Sequence, residues 1–476
     1  MTPLLIDGCL EERDDAIQVT NPDDETVIAT VARASEADVP RAVNAATQAL
    51  SKPIPAHHLA EILDRVSRRI DEEAESVATL IATEGIKTIR EARVEAARAA
   101  NTIGLSAIEA TRGSGETLGL SRSRFGEGRF GFYVRQPLGV IAGITPFNDP
   151  LNLVAHKVGP ALAAGNAIII KPDSRTPLSA LRLADYFREE GLPNGRLQVL
   201  PGDGPLVGGA LASHVDVAMV SFTGGIDAGR TVAATAGVKK IAMELGANNA
   251  CIVHHDADIP AAIARIGSGM FWAAGQNCLH VQRVYAHESV SDQMLEGLVD
   301  YASALTLGPK LMASTDMGPL VNAAARSRVK DFVDNAVSGG ASAVVGGSAT
   351  PRGFEPTVLT DVGNDRRILT EEIYGPVTTF DRYKTLDEAI DHSNASRYSL
   401  AASVFTSSME VAFDASSRLV AGGVVINDST DYRDDRMPFG GGGWSGVGRE
   451  GVMSAVNEMS EPKTVVFNDV ASIGAG

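Results

Sequence analysis

The sequence predicts an α/β protein in which parallel strands alternate with crossover helices. Three observations carry this. The short apolar run "NAIIIKP" is followed by a Pro-containing loop and then by "LSALRLADYFREEG", which has helical periodicity. The same order recurs in "RLQVLPG", in "VAMVSFTGG" with "DAGRTVAATAG", and in "KKIAMELG". A second series begins near Asn249, so the 476 residues divide into more than one hydrophobic core.

In chain order, residues 36–110 are expected to be helical. "SEADVPRAVNAATQAL" offers a Ser N-cap and an acidic first turn, and "LAEILDRVSRRIDEEAESVATLIATE" spaces its apolar residues three and four apart. Aromatic and β-branched residues around glycine turns then predict a hairpin over 121–134, feeding a buried strand at 139–144. In the first αβ series, loops 171–176 and 223–229 fall at the carboxyl ends of strands, where such sheets bind ligands. The second series runs through "ACIVHHDADI", a helix over 261–274, "VQRVYAH", "ASAVVGG", "YGPVTTFDRY" and "GGVVIND". The tail "EPKTVVFND" reads as a strand without a local partner, which must pair with another segment or subunit.

Composition excludes several function classes. With 42 basic against 59 acidic residues the net charge is −17, a field that repels nucleic acid and anionic membrane surfaces. The start "MTPLLIDGCLEERDD" does not read as a signal peptide, and no apolar stretch approaches the roughly 20 residues of a membrane span. Three cysteines, Cys9, Cys251 and Cys278, are too few and too scattered for a disulfide framework, so a reducing, cytoplasmic setting is expected.

Several motifs bear on chemistry. "GEGRFG" at 126–131 matches G-x-G-x-x-G, but a strand-like "FYVRQP" follows where the fingerprint needs a helix, so it reads as a turn. In "SFTGGIDAGR", Gly224 and Gly225 end an apolar strand and Gly229 lies at the start of a helix. This is a place for a phosphate at helix amides, or an ordinary strand-to-helix turn. Cys278 follows Gly, Gln and Asn in "GQNC", whereas Cys251 sits in an apolar strand pattern. The former is the candidate nucleophile, with packing as the competing reading. Glu244 and Asn148 end strands beside tight loops and offer a base and an oxyanion donor. In "HHDAD", the aspartates read as caps for the helix that follows rather than as metal ligands, so no metal is expected.

"QPLGVIAGITPFNDPL", "PALAAGNAIIIKP", "VSFTGGIDAGR", "KKIAMELGANNACIV", "GQNC", "EEIYGPV" and "PFGGGGWSGVGREG" follow one another in this chain. Together they resemble the aldehyde dehydrogenase superfamily over nearly the whole length. The resemblance implies a Rossmann-like cofactor domain (1–117 and 136–245), an α/β catalytic domain (246–455) and a small β oligomerisation element (118–135 and 456–476). It implies a homodimer or homotetramer. Cys278 resembles the nucleophile, Asn148 the oxyanion donor and Glu244 the base that hydrolyses the thioester. Lys171 and Glu372 match positions that hold the cofactor riboses, Gly224, Gly225 and Gly229 the phosphate loop, and Thr145, Pro146 and Phe147 its neighbours. Where many NAD-preferring members carry a glutamate, this chain has Ser174 beside Arg175. That favours NADP and leaves NAD open.

"PFNDPLNLVAHKVGPA", "VQRV" and "VVINDSTDYRDDRMPFGG" are similar to the branch of lactaldehyde, phosphonoacetaldehyde and phosphonoformaldehyde dehydrogenases. A small polar or anionic aldehyde is the substrate this implies. Arg98 aligns with an arginine that binds the substrate's acid group in the phosphonoacetaldehyde enzymes, with an exposed helix face as the competing reading. Asp149 and His280 stand at the other two positions of that site, and Arg433 and His156 are further candidates. Two other functions remain in view: a CoA-acylating relative, opposed by the presence of Glu244, and a non-catalytic binding protein on the same fold.

Overall fold

The computed structural model describes residues 2–113, 115–363 and 366–468. Its first sheet has eight strands in the spatial order Cys9–Glu11, Leu4–Ile6, Leu197–Val199, Ala167–Lys171, Val140–Ile144, Val217–Thr223, Lys240–Glu244 and Gly446–Val447. The five strands from Leu197–Val199 to Lys240–Glu244 run parallel, and the flanking strands antiparallel. Val140–Ile144 and Ala167–Lys171 are buried along their whole length, which is why their sequences are continuously apolar. Ile141, Ile168 and Ile170 pack on the helices Ala56–Glu72, Ile89–Arg112 and Asn152–Ala163. Val140, Ala142 and Ile169 face the helices Asp38–Leu50 and Ile226–Ala236 on the other side. Each of these isoleucines contributes about 1.5–3 kcal/mol by leaving water.

The second sheet has seven strands, Ser342–Val345, Thr357–Thr360, Val377–Tyr383, Val281–His287, Asn249–Val253, Ala401–Phe405 and Gly423–Ile426 in spatial order, parallel except at the first pair. The helices Ile259–Phe271, Ser291–Ala304 and Ala323–Ser338 cover one face, and Leu386–Asn394 and Met409–Arg418 the other. A three-stranded sheet of Gly115–Leu118, Phe130–Pro137 and Ser460–Phe467 lies apart from both, with its outer strands antiparallel to the middle one.

The structure refines the sequence reading in four places. The expected helical lead-in is preceded by strands, including the hairpin Ala16–Thr20 with Val27–Ala32, and is itself divided into four helices. The hairpin expected over 121–134 is set instead by Gly115–Leu118 against Phe130–Pro137. The chain between them folds back so tightly that a Cβ on Gly126 would lie 1.9 Å from the Leu120 carbonyl oxygen. The tail strand finds its partner within the chain, pairing Ser460 with Pro137 through to Phe467 with Phe130, and the expected element's residues 469–476 lie outside the described residues. Finally, Gly446–Val447, expected in the catalytic domain, joins the first sheet beside Lys240–Glu244.

The helix Ile89–Arg112 begins with a capping box. Thr88 Oγ1 accepts from the Glu91 backbone, while Glu91 Oε2 accepts from the Thr88 N–H at 2.8 Å. The second Glu91 oxygen accepts from Ala273 N at 2.7 Å, so the same cap anchors the loop that carries Cys278.

Candidate active site

The carboxyl ends of Val140–Ile144, Ala167–Lys171, Val217–Thr223 and Lys240–Glu244 open onto one cleft of about 440 Å³ that reaches Cys278. Register makes the convergence: Ile144 lies beside Lys171 and Phe222, and Thr223 beside Glu244. Of the residues expected from sequence, Thr145, Pro146, Phe147, Asn148, Lys171, Arg175, Gly224, Gly225, Glu244, Cys278 and Glu372 line it.

Cys278 sits on a strained loop. After the helix Ile259–Phe271 ends, Ala273, Ala274 and Gly275 all take left-handed φ values of 52°, 53° and 68°. For each alanine this costs about 1–2 kcal/mol, so the surroundings must enforce it. They do. Gln276 Nε2 donates to the Pro319 carbonyl at 3.1 Å and its Oε1 accepts from Val321 N at 2.9 Å. Asn249 Nδ2 donates to the carbonyls of Cys278 and His280 at 2.8 and 3.0 Å. At Gly275 a Cβ would meet the Gly375 carbonyl oxygen at 2.1 Å, so only glycine fits.

Burial pushes the Cys278 thiol well above its usual range; Arg433 opposes this, while Glu244, Glu372 and Asp149 add to it. The resting group is therefore a protonated thiol. Glu244 is buried, and its pKa is raised well above the carboxylate range by burial and by Glu450, against Arg433, Lys157 and Arg449. Its Oε2 is buried without a hydrogen-bond partner among the described residues. Asn148 is 4 % exposed, and its Nδ2 makes only a long contact to Asp149 Oδ2 at 3.4 Å.

The cleft fits a dinucleotide. The 11-residue helix Ile226–Ala236 starts after Gly225 with no side chain capping its first turn, and a Cβ on Gly225 would point into open space. Thr145 Oγ1 is buried in the cleft wall without a partner among the described residues. Lys171 is held in the wall, where burial pulls its pKa down. Glu372 accepts from Ala247 N at 3.0 Å, and burial pushes its pKa up to about 7.

Two of the expected cofactor residues stand elsewhere. Gly229 lies under Leu245, where a Cβ would come within 2.4 Å of Leu245 Cδ2, so it serves helix-to-strand packing. Ser174 is not among the lining residues, but Asp173 is. Asp173 grips Arg175 through two oxygens at 2.7 and 2.6 Å, and Arg175 lies over the Phe147 ring at 4.2 Å.

The remaining candidates form a charged cage around the cysteine loop, outside the cleft lining. Arg98 donates to Asp435 at 2.6 Å, and His156 Nε2 approaches the same carboxylate at 3.0 Å. Arg433 donates to Glu450 at 3.1 Å and stacks on Phe439, which packs with Cys278. Lys157 donates to Glu450 at 3.1 Å and to Thr223 at 2.8 Å. Asp149 is paired with Lys87, which also donates to Glu95 at 2.8 Å. His280 does not belong with these. It is 4 % exposed and absent from the cleft lining, and burial pushes its pKa down to about 3, so it is a neutral core histidine that offers no positive charge to an acid group. The "HHDAD" stretch also resolves locally, with Asp258 accepting from Ala261 N to cap the next helix.

Lys87, Lys157, Asp173, Asp435 and Glu450 were not singled out from sequence. Lys157 left a legible trace, as one cation inside the apolar helix "NLVAHKVGPALA", where a charge needs a buried partner.

Comparison with known proteins agrees with this architecture. Residues 10–465 match the model of the aldehyde dehydrogenase family. The aspartate-semialdehyde dehydrogenase 1 of Pseudomonas canavaninivorans is 42% identical over 454 residues, covering 95% of this chain and 96% of the relative. The 3-sulfolactaldehyde dehydrogenase of Priestia aryabhattai is 39% identical over 465 residues, with 98% of each chain covered. Among solved structures, aldehyde dehydrogenase 21 of Physcomitrella patens in complex with its reaction product succinate superposes with a TM-score of 0.96 at 34% identity, covering 99% of this chain and 100% of that one. The sulfolactaldehyde enzyme is consistent with the branch expected from the sequence motifs. With its two parallel sheets, strand-end cleft and cysteine loop, this chain belongs to the aldehyde dehydrogenase family and is an NAD(P)-dependent oxidoreductase of aldehydes.

Proposed function

We propose that the protein oxidises a small polar or anionic aldehyde to its carboxylic acid through a thiohemiacetal and then a thioester on Cys278. The observation that carries this reading is the pair Arg98 and Arg433, each with a buried Nε lacking a partner among the described residues, in the charged cage around the cysteine loop. The names of the similar aspartate-semialdehyde and 3-sulfolactaldehyde enzymes support it, since each aldehyde carries an ionised group.

Cys278 gives its S–H proton to water as Sγ adds to the aldehyde carbon, and the Asn148 amide with the Cys278 N–H donates to the resulting oxyanion. NAD(P), when bound in the cleft, supplies the hydride acceptor. Lys171 and Glu372 would hold its riboses, and the amides after Gly225 its pyrophosphate. Glu244 then takes a proton from the water that attacks the thioester, a task suited to a carboxyl whose pKa burial has raised. Its presence favours hydrolysis over acyl transfer to CoA.

For the cofactor, Arg175 offers a partner to a 2′-phosphate, while Asp173 already neutralises it. We assign use of both NADP and NAD, with discrimination under about tenfold, or 1.4 kcal/mol. Exposed Phe467 and Val466 on the three-stranded sheet support a homodimer or homotetramer, and three free cysteines support a reducing cytoplasm.

The test is NAD(P)H formation over lactaldehyde, succinate semialdehyde, phosphonoacetaldehyde, phosphonoformaldehyde and neutral aliphatic aldehydes, each with NAD and with NADP. Preference for an ionised aldehyde is expected; a flat or aliphatic profile overturns the substrate reading. Cys278→Ala should lower turnover by at least about 10⁴-fold, and near-wild-type rates would refute the thioester route.

A further inference from the structure

The charges of the cage balance. Lys87, Arg98, Lys157 and Arg433 face Glu95, Asp149, Asp435 and Glu450, each joined to at least one of the others by an ion pair. Burial raises the Glu95 pKa and Lys87 opposes the rise; Glu95 accepts from Lys87 and from the backbone N–H groups of Leu151 and Asn152, an all-acceptor pattern that suits a carboxylate. Burial and Arg433 lower the His156 pKa, and burial and Glu450 raise that of Glu244, so both shifts favour the neutral form. A substrate dianion would unbalance this cage by two charges, and burying an unpaired charge is costly.

Unused hydrogen-bonding capacity of both signs remains there. On the donor side, Arg98 Nε and Arg433 Nε are buried with no acceptor among the described residues. On the acceptor side, Asp149 has one oxygen held by Lys87, and the other makes only the 3.4 Å contact with Asn148. The Asp149 side chain is 21 % exposed against 3 % for Lys87, so the carboxylate lies on the open side of that pair. Hydrogen bonds run from Arg98 through Asp435 and His156 to Arg433, which stacks on the Phe439 that packs with Cys278, and Asp149 directly follows the cleft residue Asn148, so the three charged groups lie around the nucleophile.

Building on the proposed oxidation of a small ionised aldehyde, we infer that the substrate is a zwitterion, an α-amino acid bearing an aldehyde. Arg98 and Arg433 take its carboxylate and Asp149 takes its ammonium. The reaction consumes the aldehyde, water and NAD(P)⁺. The aldehyde C–H leaves as hydride to the nicotinamide, water supplies the new oxygen, and the product is a dicarboxylic amino acid with NAD(P)H and two protons. The ammonium is a spectator that orients the chain.

Three aldehydes test this with the intact enzyme: 2-amino-4-oxobutanoate, 4-oxobutanoate, which lacks the ammonium, and 3-aminopropanal, which lacks the carboxylate. A site that pairs both groups should favour the first by at least about tenfold in kcat/KM over each of the others, because removing either leaves a buried partner unpaired. Asp149→Asn should shrink the ratio between the first two by at least about tenfold, through KM. If 4-oxobutanoate matches or exceeds its amino derivative in the wild type, ammonium recognition is wrong while the anionic reading survives. If 3-aminopropanal matches both, the anionic reading falls too. Should Asp149→Asn fail to fold, with Lys87 left short of a partner, the wild-type ratios decide alone.

Discussion

The two sides of Cys278 are built from different materials. Toward the cleft, the surface is made by strand ends, the uncapped start of a helix and an open glycine, with few side chains committed to ion pairs. Toward the cage, at least eight ionised side chains from the helices Ile89–Arg112 and Asn152–Ala163 and from loops near 87, 149 and 433–450 hold one another by direct ion pairs. A main-chain surface recognises whatever offers a phosphate or a ring, and it changes little when a side chain is exchanged. A side-chain cage is specific to the charges it lacks, and one substitution re-tunes it. The same cysteine can thus keep its chemistry while its aldehyde changes.

Variants can separate the two sides, beginning with the group they share. Glu244→Gln should let acyl-enzyme form but slow its release by about 10²–10⁴-fold, seen as a burst of NAD(P)H followed by a stalled steady state. In the wild type the release rate should rise with pH through an inflection above the ordinary carboxylate range, because Glu244 must lose its proton to act, and the variant should lose that inflection. An unchanged steady state would remove Glu244 from the mechanism. On the cage side, Arg98→Met should raise KM for 4-oxobutanoate by about 10–100-fold, the worth of a charged hydrogen bond, while leaving KM for the cofactor unchanged. A rise in both would mean that the two sides are coupled.

On the cleft side, Gly225→Ala places a methyl in open space at φ −69°, an ordinary conformation for alanine. It should raise KM for the cofactor by about tenfold with Tm and aldehyde KM unmoved, and an unaltered cofactor KM would displace the pyrophosphate from these amides. The smallest effect concerns Glu372. Its folded pKa, about 7, exceeds its ordinary 4.5, so the fold favours the protonated form. Stability from this group is complete below about 4.5 and is lost as pH rises toward about 7. Melting curves should show Glu372→Gln gaining on the wild type across that interval, and parallel curves would contradict the assignment.

The legible parts follow the same division. Strand ends and glycine turns are local, so "NAIIIKP", "SFTGG" and "KKIAMELG" announced both the parallel sheet and the positions of Lys171, Gly224 and Glu244. The cage was read poorly because its partners are remote: Arg98 and Asp435 are 337 positions apart, and Lys157 and Glu450 are 293 apart. His280 shows the cost of reading by alignment alone, since a position beside the nucleophile in sequence turned into the core in space. Gly229 belongs to the same lesson: a glycine within a phosphate-loop pattern answers to the Leu245 side chain. The short strands before residue 36 carried too little pattern to announce themselves, Leu4–Ile6 being three residues long.

The segment after Gly440 acts as a seam between the two halves. Gly442 pairs with Ser399 on the catalytic side, and four residues later Gly446 pairs with Glu244 on the other. Leu245 N donates to the Ser445 carbonyl between them at 3.1 Å. The seam stitches the base to the half that carries the nucleophile, so a rocking of one sheet against the other would pull Glu244 along with it. The main chain itself therefore helps to set the spacing between the base and the half that holds the nucleophile.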